Sequence, residues 1–294
     1  MAKDFAGMNH SALGEAAVIR RGSDAVERGV GLRRIVRSLL EHRLLVWTLA
    51  RREITDLHAG QLGGALWIIA HPLLMLLVYA FLFMVVLKVR IGQSGPEDYL
   101  VYLFAGLAPW LLTQDVMVRS ASVMIANITI VKKVMFPTDV LVAKTVVAGI
   151  VAQSVLLIAV CAVTFYIRGV PPWTFLLLPV LAAVHVSLLF GLALMLASAT
   201  PYFRDTPEVL RIFTTVNVFL IPVMYLPEWV PAPLQLLLLV NPFSHLIWCY
   251  QDAIYFGTLA HPWSWFFTAA FAALTLIAGA AVFIRLRHHL SSVL

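Results

Sequence analysis

Asp115 and Arg119 stand inside a long apolar stretch, four residues apart, a spacing that places them on one face of a helix and lets them pair. A buried pair of this kind is structural or forms part of a gate. The other residues able to do chemistry are scattered. His71, His185 and His245 lie far apart in apolar runs, where packing or a backbone hydrogen bond accounts for them. Cys161 and Cys249 belong to no CxxC or Cys/His spacing and read as small buried hydrophobes. The sequence contains no G-x-x-x-x-G-K-[ST], H-E-x-x-H or G-x-S-x-G, and no paired carboxylates within its apolar runs, so no catalytic residue and no metal site is expected. Proton-coupled transport uses chains of intramembrane acids, and Asp115 is the one firm candidate here. Energy for any transport therefore has to come from another chain.

The elements that would position these residues are long and greasy. Hydrophobic residues make up 61% of the 294 and charged ones only 12%, about half the share usual in a soluble domain. Gln61 to Leu87 carries no Asp, Glu, Lys or Arg. As a helix at ~1.5 Å per residue it reaches roughly 40 Å, enough to cross a hydrocarbon core of about 30 Å with some tilt. Pro72 inside it removes a backbone hydrogen bond and predicts a kink. Gly60 and Gly64 at its entrance, with Gly63 beside them, have the spacing that allows two helices to approach closely.

Further spans are expected over Tyr99 to Met124, Thr138 to Ile167, and Trp173 to Thr200, where Ser187 and Gly191 offer a small-residue contact face. A fifth begins near Pro207 or Glu208, and the last follows Pro262. Trp229 to Gln251 is free of charge but broken by Pro231, Pro233 and Asn241-Pro242, so a pair of short re-entrant helices on the periplasmic side is expected there. The fold class is thus an all-α polytopic membrane protein of six transmembrane helices. All lysines and arginines except Lys88, Arg90 and Arg168 then fall on one side, which the positive-inside rule makes cytoplasmic, with both termini inside. The formal charge of +6 is explained by that retention, and no nucleic-acid partner is expected.

Three regions follow. Residues 1–31 lack periodicity and read as a flexible cytoplasmic tail. Residues 32–58 read as an amphipathic interface helix, with Arg34, Arg37, Glu41, Thr48 and Arg52 on one side and Val36, Leu40, Trp47, Ala50 and Ile54 on another. Arg51 and the other arginine stems would snorkel there against membrane lipids, with Trp47 at headgroup depth. Residues 59–294 form the membrane domain. Asn127 to Pro137, NITIVKKVMFP, reads as a short helix with Lys132 and Lys133 beside Ile130, Val131, Val134 and Phe136.

The order RRE, LGGALWIIAHPLLMLLVYAFLF, YLFAGLAPW, NITIVKKVMFP, YFRD and LPEWVPAPLQLLLLVNPFSHLIWCYQDAIYFG over roughly residues 45 to 285 resembles the membrane subunit of ABC-2 type exporters of polysaccharides and polyol phosphates. That resemblance implies a homodimer bound to two separate ATP-binding cassette ATPase subunits, which hold ATP and Mg, so that this chain carries no cofactor and is not itself an enzyme. It implies export of lipid-linked O-antigen, capsule or teichoic-acid-type polymer across the bacterial cytoplasmic membrane. It also implies that Asn127, Ile130, Lys132, Lys133, Phe136 and Pro137 form the coupling helix seated in the ATPase, with Phe136 as anchor and the lysines as rim charges. Trp67, Tyr79, Phe83, Tyr102, Phe104, Trp110, Phe213, Phe219 and Tyr225 are candidates to line a path on which sugar rings stack weakly and slide. An exporter of small lipids or drugs would share these motifs and differ in cargo. A membrane-embedded transferase would need a cluster of acids or histidines at one face.

Overall fold

The computed structural model describes residues 31–56, 64–91, 95–132 and 136–293. The expected tail up to residue 30, Gly60, Gly63 and Lys133 lie outside them. Among the described residues the chain is helical, without strands: α1 (31–41), α2 (Arg43–Asp56), α3 (Trp67–Ala80), α4 (Pro96–Ala126), α5 (Ile128–Val131), α6 (Thr138–Arg168), α7 (Leu178–Ala199), α8 (Thr206–Asn217), α9 (Ala232–Val240), α10 (Pro242–Gln251) and α11 (Pro262–Val293). Among the described residues five helices are long and apolar enough to cross a bilayer: Ile69–Val86, Pro96–Ala126, Thr138–Arg168, Trp173–Ala199 and Pro262–Arg287, and a bent pair described below brings the number up to six if it counts as one span. This is an all-α polytopic membrane protein.

The mast of the bundle is α4. Pro96 starts it and Glu97 and Asp98 occupy its first turn, where a fixed φ and negative charge both suit a helix N-terminus. Every residue from Tyr99 to Trp110 is buried, and the helix packs against α6, α7, α8 and α10. A helix apolar on all sides needs partners on all sides, and here the chain itself provides them. The first span differs. Pro72 is accommodated within α3, which continues beyond Ala80 as a π-helical stretch, Phe81–Val86. Only 6% of the Ile69–Val86 stretch is buried within the chain, against 72% of the most apolar 18 residues of α4.

α7 and α11 form the most extensive helix pair. Their crossing is set by Gly191: a Cβ placed there would meet the Thr275 carbonyl carbon and the Leu276 nitrogen at 2.5 Å. Gly279 faces Gly191 in turn, so two backbones touch with no side chain between them. Ser187, expected on the same contact face, donates instead to the Ala183 carbonyl of its own helix at 2.9 Å. Gly64 has φ +46° and open space around its Cβ position, so its role within the chain is conformational rather than a close helix contact.

The expected fifth span is not a continuous helix. α8 has 12 residues and reaches roughly 18 Å, well short of the ~30 Å core. Residues 218–226 then run irregularly. Their carbonyls are supplied with donors from elsewhere: Tyr99 donates to Met224, Tyr102 to Pro222 and Tyr225, and Gln251 to Pro222. Irregular backbone at membrane depth survives only with such cover. Beyond it, α9 and the run Pro242–Phe256 meet at 90° across Asn241-Pro242, so they do not make one straight crossing. The Asn241 side chain accepts from the Phe243 N–H and caps α10.

Candidate functional site

Between α4 and α6 the chain turns through α5. Asn127 ends α4, its Nδ2 donating to the Val123 carbonyl at 2.8 Å, while its own carbonyl accepts from Ile130 and Val131. Among the described residues of this segment the regular helix is Ile128–Val131. Val131 is buried, Ile130 half-buried and Lys132 exposed. Pro137, in extended conformation, launches α6. Phe136 does not project freely: it is half-buried against this chain's own apolar clusters, which include Ile35 and Val46 of the α1–α2 arm and Val140 and Leu141 of α6. As placed here, much of the expected anchor is already occupied by its own fold.

The α1–α2 arm lies along this end of the bundle. Val46, Ala50 and Ile54, spaced four apart, form its buried stripe on α6, with Ala148 beneath Ala50 and Ile54. Of the expected apolar side, Val36, Leu40 and Trp47 face outward instead, in a second stripe that includes Leu44. Arg34, Arg37, Arg51 and Arg52 are exposed; Arg37 pairs with Glu41 at 2.8 Å and Arg52 with Asp56 at 3.3 Å. Such exposed pairs contribute little to stability.

Glu53 belongs to the other side of α2. Its carboxylate is shared between two cations on different helices, Oε1 lying 3.5 Å from Nη1 of Arg119 on α4 and Oε2 3.1 Å from Nζ of Lys144 on α6. Arg119 also donates to Asp115, the pair expected from the sequence. Glu53, Arg119 and Lys144 are largely withdrawn from the surface, at 18%, 19% and 13% exposure, while Asp115 is half-buried. Gly149 of α6 makes the room: a Cβ there would meet Val116 at 2.6 Å and Nη2 of Arg119 at 3.1 Å. A cavity of about 710 Å³ opens beside the cluster, lined by Glu53, Arg119, Lys144, Asn127, Ile130 and Arg211. It brings the charge cluster, the α5 turn and α8 to one place.

The aromatic residues divide into two sets. Tyr102, Phe104 and Trp110 are at most 3% exposed and belong to the core, so they line no open path in this conformation. Tyr79 and Phe83 stack at 6.4 Å and are half-buried, with Phe83 leaning on Tyr99. Trp67, Phe213 and Phe219 are exposed, and Tyr225 is half-buried with its hydroxyl on the Phe219 carbonyl. His185 lies between Thr113 and Tyr250, and His245 between Ser264 and the Leu239 carbonyl. His71 is exposed. Among the described residues no three His, Cys, Asp or Glu side chains gather as a metal site requires.

At the far end of the bundle, Arg168 closes α6 by donating to Asp98 on α4 at 2.9 Å and to the Tyr255 carbonyl, with its guanidinium carbon 4.4 Å from the Tyr255 ring centre. Asp252, fully buried, accepts from the His261 N–H, the His261 ring and the Trp265 indole. Neither arrangement is expected from the sequence, where Arg168 merely ends a span. The missed partner of Arg119 had a local signal: Glu53 stands three residues after Ala50 and next to Ile54, within the arm's buried register.

A polytopic bundle that brings a buried charge cluster, a short interhelical turn and a cavity together at one end, with no assembled catalytic or metal constellation among the described residues, has the form of a transporter's membrane domain. The chain belongs to the ABC-2 type transporter family, whose pattern matches residues 44–255. It is similar to the O-antigen export system permease protein RfbA of Myxococcus xanthus, 30% identical over 225 residues, which cover 76% of this chain and 84% of that one. It is also similar to a protein of that name from Klebsiella pneumoniae, 24% identical over 254 residues, covering 85% of this chain and 95% of the relative. Family membership makes this chain a transporter membrane subunit and implies a partner that binds ATP.

Proposed function

We propose that two copies of this chain, joined to two ATPase subunits, export a lipid-linked polysaccharide of the O-antigen, capsule or teichoic-acid kind across a bacterial cytoplasmic membrane. The observation that carries the reading is the junction of the α5 turn with the α1–α2 arm and the charge cluster, around one cavity at one end of long apolar helices. A short turn fixed between two long helices can convert a push from a docked protein into a rigid-body motion of those helices. Relatives named for O-antigen export, matched over 95% and 84% of their length, support the choice of cargo. ATP and its Mg²⁺ are held by the partner, and both termini of this chain face the cytoplasm, where 18 basic residues collect by the positive-inside rule.

Reconstitution in vesicles tests this directly. The chain with its ATPase is expected to move a lipid-linked polysaccharide only when ATP is hydrolysed. Replacing Lys132, Lys133 and Phe136 by alanine is expected to leave membrane insertion intact and to lower export per ATP on the order of tenfold, the scale of coupling between linked sites. Transport by this chain with no nucleotide-hydrolysing partner would overturn the reading.

A further inference from the structure

We propose that Glu53 is a positioning residue for energy coupling, the tie that makes the α1–α2 arm, α4 and α6 move as one body; this rests on the transport reading above. Three observations converge on it. The α2 part of the arm touches the bundle through α6, while α1 seats Ile35 in an apolar cluster with Phe283; the α2 stripe of Val46, Ala50 and Ile54 is small and apolar, a surface that resists separation but fixes rotation and sliding weakly. Glu53 supplies the direction that stripe lacks: its two oxygens reach Arg119 on α4 and Lys144 on α6, the helices that precede and follow the α5 turn. The space for the arrangement is built in, since Gly149 admits the Asp115–Arg119 pair between α4 and α6 where any Cβ would collide with Val116.

The charges are balanced two against two and each cation lies within salt-bridge distance of a carboxylate, so the cluster is neutral rather than a free anion site. Removing the Glu53 charge leaves Lys144 with no carboxylate among the described residues and Arg119 with Asp115 alone. The arm then keeps its apolar contact but loses its registration. Since α5 hangs between the two helices that Glu53 joins, a push at α5 is partly spent in sliding the arm instead of tilting α4 and α6.

The test uses the full chain with its ATPase partner in vesicles, measuring ATP hydrolysis and cargo export on the same preparation, with the amount of inserted chain determined in each. Glu53→Gln keeps size and one acceptor oxygen while removing the charge and replacing the second acceptor by a donor. It is expected to hydrolyse ATP at a rate near the parent's while exporting on the order of tenfold less per ATP. The exchange Glu53→Lys with Lys144→Glu is expected to recover much of the loss, and Glu53→Lys alone is not.

A second variant keeps the question open to refutation if charge changes disturb folding. With Cys161 and Cys249 replaced by alanine, Ile54→Cys and Ala148→Cys are joined by a short thiol-specific cross-linker across the arm's contact with α6. In the Glu53→Gln background this link is expected to restore export per ATP, and the same chain left unlinked is expected to stay defective. Unchanged export per ATP in Glu53→Gln would overturn the proposal, as would a fall in hydrolysis and export together that the cross-link does not repair. Failure of the transport reading shows separately, as export by the parent chain that does not depend on ATP.

Discussion

α3 and α4 are adjacent in sequence and both are apolar enough to cross a bilayer, yet the protein uses them in opposite ways. α4 is enclosed by its own chain along most of its length, while α3 leaves Leu73, Leu74, Leu77, Val78 and Phe81 at least 41% exposed. Their polar content explains the split. α4 brings Tyr99, Tyr102, Thr113, Asp115 and Arg119, each finding a partner on its own helix, on another helix or on the irregular stretch 218–226. The Trp67–Ala80 helix offers His71 and Tyr79 and otherwise only apolar surface. A membrane helix with polar groups to satisfy is drawn inside, whereas an unrelieved apolar one is content against lipid or a second copy. Hydrophobicity gets a helix into the bilayer; its few polar groups decide how far it goes into the protein.

The sharpest way to break the comparison is Trp110→Ala. Trp110 is fully buried in α4 and stacks edge-on against Phe243, so its loss is expected to cost about 3–5 kcal/mol, read as a large fall in thermal unfolding temperature in detergent. Tyr102→Phe comes next: it removes only the hydroxyl that serves Pro222 and Tyr225, for about 1–2 kcal/mol. Hydrogen exchange is expected to quicken over residues 218–226 more than elsewhere. The smallest effect belongs to α3, where Leu77→Ala is expected to change the stability of the isolated chain by less than about 0.5 kcal/mol. A loss there as large as in α4 would mean the two spans are not so different. A loss seen only when copies associate would assign α3 to the dimer contact.

Much of the architecture is legible in the sequence because charge-free runs and the charges bounding them are local signals. The Thr138–Arg168 and Pro262–Arg287 spans announce themselves this way. The irregular stretch after α8 does not. Its residues are as apolar as a helix, and what permits it is three hydroxyl and amide donors from Tyr99, Tyr102 and Gln251, distant in the chain. Likewise, Asp115 and Arg119 are paired by helical spacing alone, but Lys144 and Glu53 meet across 91 positions, and no local rule joins them. Burial of Tyr102, Phe104 and Trp110 was equally hidden, since an aromatic ring facing a core and one facing a conduit have the same composition around them in sequence.

The meeting of Gly191 with Gly279 carries a mechanical consequence. Because nothing compressible separates the two main chains, α7 and α11 behave as a single strut that can pivot but not part. With that pair held shut, relative movement is left to more loosely held elements such as α3, little of which is buried within the chain.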